Sequence, residues 1–232
     1  MSLKEELQIE VAEVFRAAWE ERDGNVVPEA DDLKLGNDAV KLQATVLYAD
    51  LADSTDLVDH YPPSFAAEIY KTFLHCAAKI IRSEQGTITA YDGDRIMAVY
   101  IGDYKNTSAV RSALKIHWAV LNIENTAGAQ QYPRTPYSVK HVIGIVTSNL
   151  LAARTGVRGA NDIVWVGRSA NYAAKLTTLP AAYPTYITQE VYGQLNSSVK
   201  IANDGRQMWE AVLWNSFDNR AIYRSNWWWS LE

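Results

Sequence analysis

The 232-residue chain has a single cysteine, Cys76, so no intrachain disulfide can form and the chemistry suits a reducing compartment. Its four histidines, His60, His75, His117 and His141, lack the spacing of a zinc site. No block of basic residues occurs, and 22 Lys and Arg against 27 Asp and Glu leave a net charge of −5. That balance argues against nucleic acid or an anionic membrane as partner, though a small anionic ligand needs only local positive potential. No run of about 20 apolar residues exists to span a bilayer. The opening "MSLKEELQIEVAEVF" is acidic and has no apolar signal-peptide core, so a cytoplasmic location is expected. Internal repeats, low-complexity tracts and a second core are also missing.

What is present is enough for one large domain: 48% hydrophobic and 21% charged residues predict a packed core. Leu3, Leu7, Val11, Val14, Phe15, Ala18 and Trp19 recur at spacings of three and four. They predict an amphipathic helix ending near Asp23-Gly24, its stripe packed on its own domain or on a second subunit. Residues 25–40 read as an irregular arm, so the division is a helix and arm over 1–40 and the main domain over 41–232.

"KLQATVLYAD" reads as a strand ending at Asp50, followed by a short helix over 53–60. A longer helix after Pro62-Pro63 carries Phe65, Ile69, Phe73, Cys76 and Ile80 on one face. "GTITAY" and "DRIMAVYIG" are strands joined at Asp92-Gly93, a strong hairpin signal. A helix over 107–125, strands in "SVKHVIGIVT" and "DIVWVG", and helices over 168–179 and near 189–195 follow. In the tail, Trp227 and Trp229 fall on one face of an extended segment and Trp228 on the other. The order β-α-β-β-α-β is an α+β, ferredoxin-like split βαβ plan, with helices on one face of a mainly antiparallel sheet.

Strand parity puts Tyr48 and Asp50 on one face near a strand end. Asp94 opens the second hairpin strand, and that strand can lie beside the first, so the two carboxylates converge. Two carboxylates without softer ligands suit Mg²⁺ or Mn²⁺. "LADSTDLV" turns into a helix with Asp53, Ser54 and Thr55 as caps, and a helix N-terminus favours phosphate. Metal and phosphate determinants therefore fall together. Asp92 reads as turn chemistry only.

"LYADLADST" resembles the first metal motif of class III nucleotide cyclases, and "YDGDRIMAVY" their second, 44 residues on from Asp50 to Asp94. "VWVGRSANYAAKL" resembles the family's Gly-x-x-x-Asn-x-x-x-Arg segment. The resemblance covers residues 44 to about 190. It implies that Asp50 and Asp94, with the Leu51 carbonyl assisting, hold two metal ions per site. Asn171 would orient the ribose and Lys175 would neutralise charge on the α-phosphate. The two stand four apart, on one helix face. The resemblance further implies a homodimer with active sites at the interface, the metal acids from one subunit and the Asn/Lys pair from the other.

Two departures from the family pattern sharpen the reading. Lys175 replaces an arginine, keeping the charge but losing the planar fork. Ala90 and Val164 stand where purine-selective members carry polar base readers. Tyr48 stands where phenylalanine is usual and adds a phenol to the wall. Arg95 and Arg168 are further candidates for substrate contact. The pattern resembles the stand-alone bacterial pyrimidine cyclases of antiphage signalling, and implies UTP in preference to CTP as the nucleoside triphosphate. The product, cUMP, would be sensed by a separate effector protein. Two alternatives remain: an adenylate cyclase with an atypical base pocket, and an inactive cyclase-like nucleotide-binding dimerisation module.

Overall fold

Both faces of the long strand β2 (Asp38–Leu51) are covered, which is why its second half is almost unbroken apolar sequence. The computed structural model describes residues 1–157 and 159–232. Antiparallel neighbours flank β2: β4 (Arg95–Tyr100) on one side and β5 (His141–Val157) on the other. The sheet continues outward to β3 (Thr87–Asp92) beyond β4. Beyond β5 come β7 (Thr185–Thr188), β9 (Arg220–Ser225) and β8 (Glu210–Trp214). Two further strands, β1 (Glu20–Asp23) beside β2 and β6 (Ala160–Val166) beside β5, complete nine among the described residues.

Helices α3 (Pro63–Ser83) and α4 (Lys105–Ala119) cover one face, as the split βαβ plan expects. Pro63 sits in the first turn of α3, where its missing N–H costs nothing. Phe65, Ile69, Phe73 and Ile80 are buried against Leu47, Ala49 and Leu51, each fully buried side chain contributing roughly 1.5–3 kcal/mol. Cys76 lies partly buried at the edge of this cluster. The helix expected over 107–125 is broken: after α4 comes a π-helical turn, Val120–Glu124, and then α5 (Asn125–Gln131). Trp227 and Trp229 pack on this layer, and Trp228 is exposed, as their parity requires.

The opposite face departs from the expectation that helices cover only one side. Helix α6 (Arg168–Leu176) crosses it, burying Ala170, Ala173 and Leu176 against Val142 and Val146. The close approach depends on Gly144: a Cβ there would lie 2.2 Å from the Ala173 carbonyl oxygen.

The N-terminus also differs. Helix α1 (Leu3–Arg16) starts at Ser2 in a capping box with Glu5 and stops seven residues short of Asp23. None of its residues is buried, so its stripe does not pack on its own domain. Asn37 donates to the Val14 and Ala17 carbonyls and ends the helix, and Glu20–Asp23 then pair in parallel with Asp38–Lys41. The free edge of β2 captures residues that their periodicity alone assigns to a helix. The expected division after residue 40 consequently falls inside β2. Among the described residues no helix is long and apolar enough to cross a membrane.

Candidate active site

The site begins with the β3–β4 turn. Asp92 pairs with Arg95, so the two-residue loop is Gly93-Asp94, one residue later than expected. Gly93 has φ +62°, as the first position of a type II′ turn requires. The shift moves Asp94 out of the strand and onto the turn.

Cross-strand register then builds two rows on the α6 face. One runs Asp92, Arg95, Asp50 and Val142; the next runs Ala90, Met97, Tyr48, Gly144 and Tyr186. Tyr48, Asp50, Arg95 and Ala90 thus share one floor. Burial raises the pKa of Asp50, and the Asp94 charge raises it further, while Arg95 and a hydrogen bond from Thr177 oppose the shift. Thr177 Oγ1 donates to Asp50 Oδ2 at 3.1 Å. Arg95 Nε stands 3.5 Å from the same oxygen but makes no hydrogen bond. Tyr48 is raised first by burial, with Arg95 and Asp92 acting on it in opposite senses. Its phenol therefore lies in the field of the charged row.

Asp94 Oδ2 is buried and has no partner. Two phenols border the turn. Tyr70, from α3, is raised by burial and by Asp94. Tyr137 is pushed up to about 12 by burial, with Asp53, Tyr70 and Asp94 adding to the shift.

Among the described residues no three His, Cys, Asp or Glu side chains form a metal-holding group. The floor offers a carboxylate pair short of positive charge. Such a pair fits a hard divalent cation that takes one or two protein carboxylates and completes its shell with substrate oxygens. Asp50, Asp94 and the Leu51 carbonyl are the groups that would hold it.

The expected helix start after Leu51 is confirmed in α2 (Ser54–His60). Asp53 occupies the cap position in the left-handed region without a side-chain cap bond, and pairs with Lys140 at 3.4 Å. Ser54 is half-buried and Thr55 exposed.

On α6 the exposed residues are Arg168, Asn171 and Lys175, a stripe opposite the buried Ala170, Ala173 and Leu176. Arg168 lies 5.9 Å from the Tyr172 ring, and Lys175 Nζ lies 4.7 Å from the Phe217 ring centre. Within one chain this stripe points away from the sheet that carries Asp50. Val164 pairs with Ala153 on the distal half of β5, whereas the Tyr48 row meets β5 at Gly144. Nine positions separate them, about 30 Å along the strand. One chain therefore assembles the carboxylates with Tyr48, Arg95 and Ala90, and leaves Asn171, Lys175 and Val164 elsewhere.

Thr177, Tyr70 and Tyr137 are absent from the sequence-derived set. Thr177 lies two residues beyond Lys175 and could have been found by extending the third motif. Tyr70 and Tyr137 carry no local signal, because only the fold brings α3 and the segment before β5 to the turn.

The adenylyl cyclase CyaB from P. aeruginosa superposes with TM-score 0.67 at 18% identity, over 81% of this chain and 95% of that one. The fold is that of a class III nucleotide cyclase domain. Sequence relatives narrow this. The uridylate cyclase of Xanthomonas perforans is 53% identical over 233 residues, and that of Burkholderia cepacia 50% over 235, each match spanning 100% of both chains. The chain belongs to the family of uridylate cyclases and is a nucleotide cyclase. No protein-family model matches it.

Proposed function

We propose that the protein converts UTP into 3′,5′-cyclic UMP and pyrophosphate, as a cytoplasmic homodimer with two active sites shared across the interface. The observation that carries the reading is the row Ala90, Met97, Tyr48, next to the row that holds Asp50 and Arg95. A methyl group stands where a purine-reading lysine would reach, and a phenol narrows the wall with a hydrogen-bonding group suited to a smaller base. The relatives named uridylate cyclase support the same base.

In the reaction the ribose 3′-oxygen gives its proton to water and bonds the α-phosphorus, and the bond from that phosphorus to the pyrophosphate oxygen breaks. Two Mg²⁺ or Mn²⁺ ions would supply Lewis-acid stabilisation of the attacking and leaving oxygens. Asp50, Asp94 and the Leu51 carbonyl would hold them. Tyr48 and Arg95 contact the nucleotide from the same floor. Ser54 and Thr55 border the phosphates. Asn171 of the second subunit orients the ribose, and Lys175 beside it stabilises charge on the α-phosphate. Ala90 and Val164 leave purine unread, and Arg168 adds positive potential at the start of α6. The exposure of the α6 stripe, turned away from Asp50 in its own chain, supports the two-subunit site. The product serves as a second messenger for a separate effector protein in antiphage defence.

The test is incubation with ATP, GTP, CTP and UTP, each with Mn²⁺, following pyrophosphate and cyclic product. UTP should give cyclic UMP. Product from ATP alone would overturn the pyrimidine assignment, and product from none would overturn the activity.

A further inference from the structure

Lys175 is exposed on α6, and among the described residues its ammonium has no carboxylate in ion-pair range. An ammonium on a four-carbon stem is ordinarily free to sample many rotamers. Here it rests 4.7 Å from the centre of the Phe217 ring, close enough for the ring's negative face to attract it. Phe217 is itself fixed. It stacks on buried Trp214 with centroids 4.5 Å apart and planes 25° apart, and meets Tyr172 edge-on at 4.5 Å and 77°. The β8–β9 turn that carries it is closed by hydrogen bonds from Phe217 N to the Trp214 carbonyl and from Arg220 N to the Phe217 carbonyl. Asp218 and Asn219 follow in the left-handed region, at φ 56° and 49°, which their short polar side chains tolerate.

We propose that Phe217 is a positioning residue for Lys175: a π-face that aims the ammonium while leaving its N–H donors for the α-phosphate. The inference rests on the reading of Lys175 as the phosphate-stabilising group. A carboxylate could fix the same side chain, but it would neutralise the charge and compete with phosphate for the donors. An aromatic ring orients without doing either. It also compensates for the missing guanidinium fork, whose planar geometry is pre-organised where an ammonium is not.

The experiment replaces Phe217 in the full chain by phenylalanines carrying one, two and three ring fluorines, which drain the negative face with little change of shape. Lys175→Ala is measured alongside. The expected result is a stepwise fall in kcat, about threefold to tenfold at three fluorines, with KM for UTP and Tm nearly constant. Phe217→Trp should restore kcat and Phe217→Leu should match or exceed the trifluoro loss. A flat kcat across the fluorine series, with Lys175→Ala inactive, overturns the role of Phe217 alone. Full activity in Lys175→Ala overturns the reading of Lys175 on which it rests.

Discussion

Beneath α3 and α4 the sheet is sealed by Leu47, Ala49, Ile96, Ala98 and Tyr100, and His117, His141, Cys76 and Glu124 in this layer are pushed towards neutrality. Burial takes His117 down to about 4 and His141 to about 3, and lifts Cys76 to about 11. Glu124, both oxygens buried without a hydrogen bond, is lifted to about 7 by burial. On the α6 side the same strands present Asp50, Asp92 and Arg95, with Asp94 on the adjoining turn and an open aromatic platform beyond. One face removes charge to make a core. The other keeps like charges close together, with Arg95 as a partial counter-charge, an arrangement that a bound cation would relieve further.

The contrast is broken most severely by removing a charge from the second face. Asp50→Asn and Asp94→Asn should each lower activity by about a thousandfold or more, since metal-supplied stabilisation is worth several kcal/mol. Stability should move the other way at Asp50. Its folded pKa lies above its unfolded value, so its contribution to stability is present at low pH and lost as pH rises through that range. Asp50→Asn without added metal should therefore melt at or above the wild-type temperature at pH 8, as read by calorimetry.

Packing changes on the two faces should separate next. Phe73→Ala under α3 removes a fully buried ring and should cost about 3–5 kcal/mol of stability by urea titration. The kcat of the folded fraction should stay within about twofold. Gly144→Ala drives a methyl into the Ala173 carbonyl and should cost about 1–3 kcal/mol. This smaller loss should nonetheless lower kcat, because α6 carries Asn171 and Lys175. Equal kcat in the two variants would erase the distinction between the faces.

A smaller effect tests the neutral face alone. A carboxyl lifted from 4.5 to about 7 stabilises the fold most below pH 4.5 and loses that contribution as pH rises to about 7. Glu124→Gln should match wild type near pH 5 and exceed it at pH 8 by on the order of 2 kcal/mol, allowing for relaxation around a buried group. A constant difference across pH would place the ionisation of Glu124 elsewhere.

Much of this was legible in the sequence because the signals are local. The α3 stripe from Phe65 to Ile80 and the Asp92-Gly93 hairpin come from neighbouring letters, and parity alone put Tyr48 beside Asp50. Errors arose where a distant partner decides. Residues 20–23 leave their helical period because Asp38–Lys41 offer a free edge. The turn slips by one residue because register with β2 pairs Asp92 with Arg95. Helix α6 lands on the second face because Gly144 makes room for it, and no window around residue 170 contains that glycine. Arg95 was legible as a candidate, but its place over Asp50 was not, since it depends on pairing between strands 45 residues apart.

The central claim is that one chain supplies the carboxylates and its partner supplies the α6 stripe. Asp50→Ala and Asn171→Ala are each expected to be inactive alone. Mixed under conditions of demonstrated subunit exchange, they should form heterodimers with one intact site and recover up to about a quarter of wild-type activity per total protein, half the dimers carrying one site of two. No recovery in that mixture would contradict a site shared between two chains.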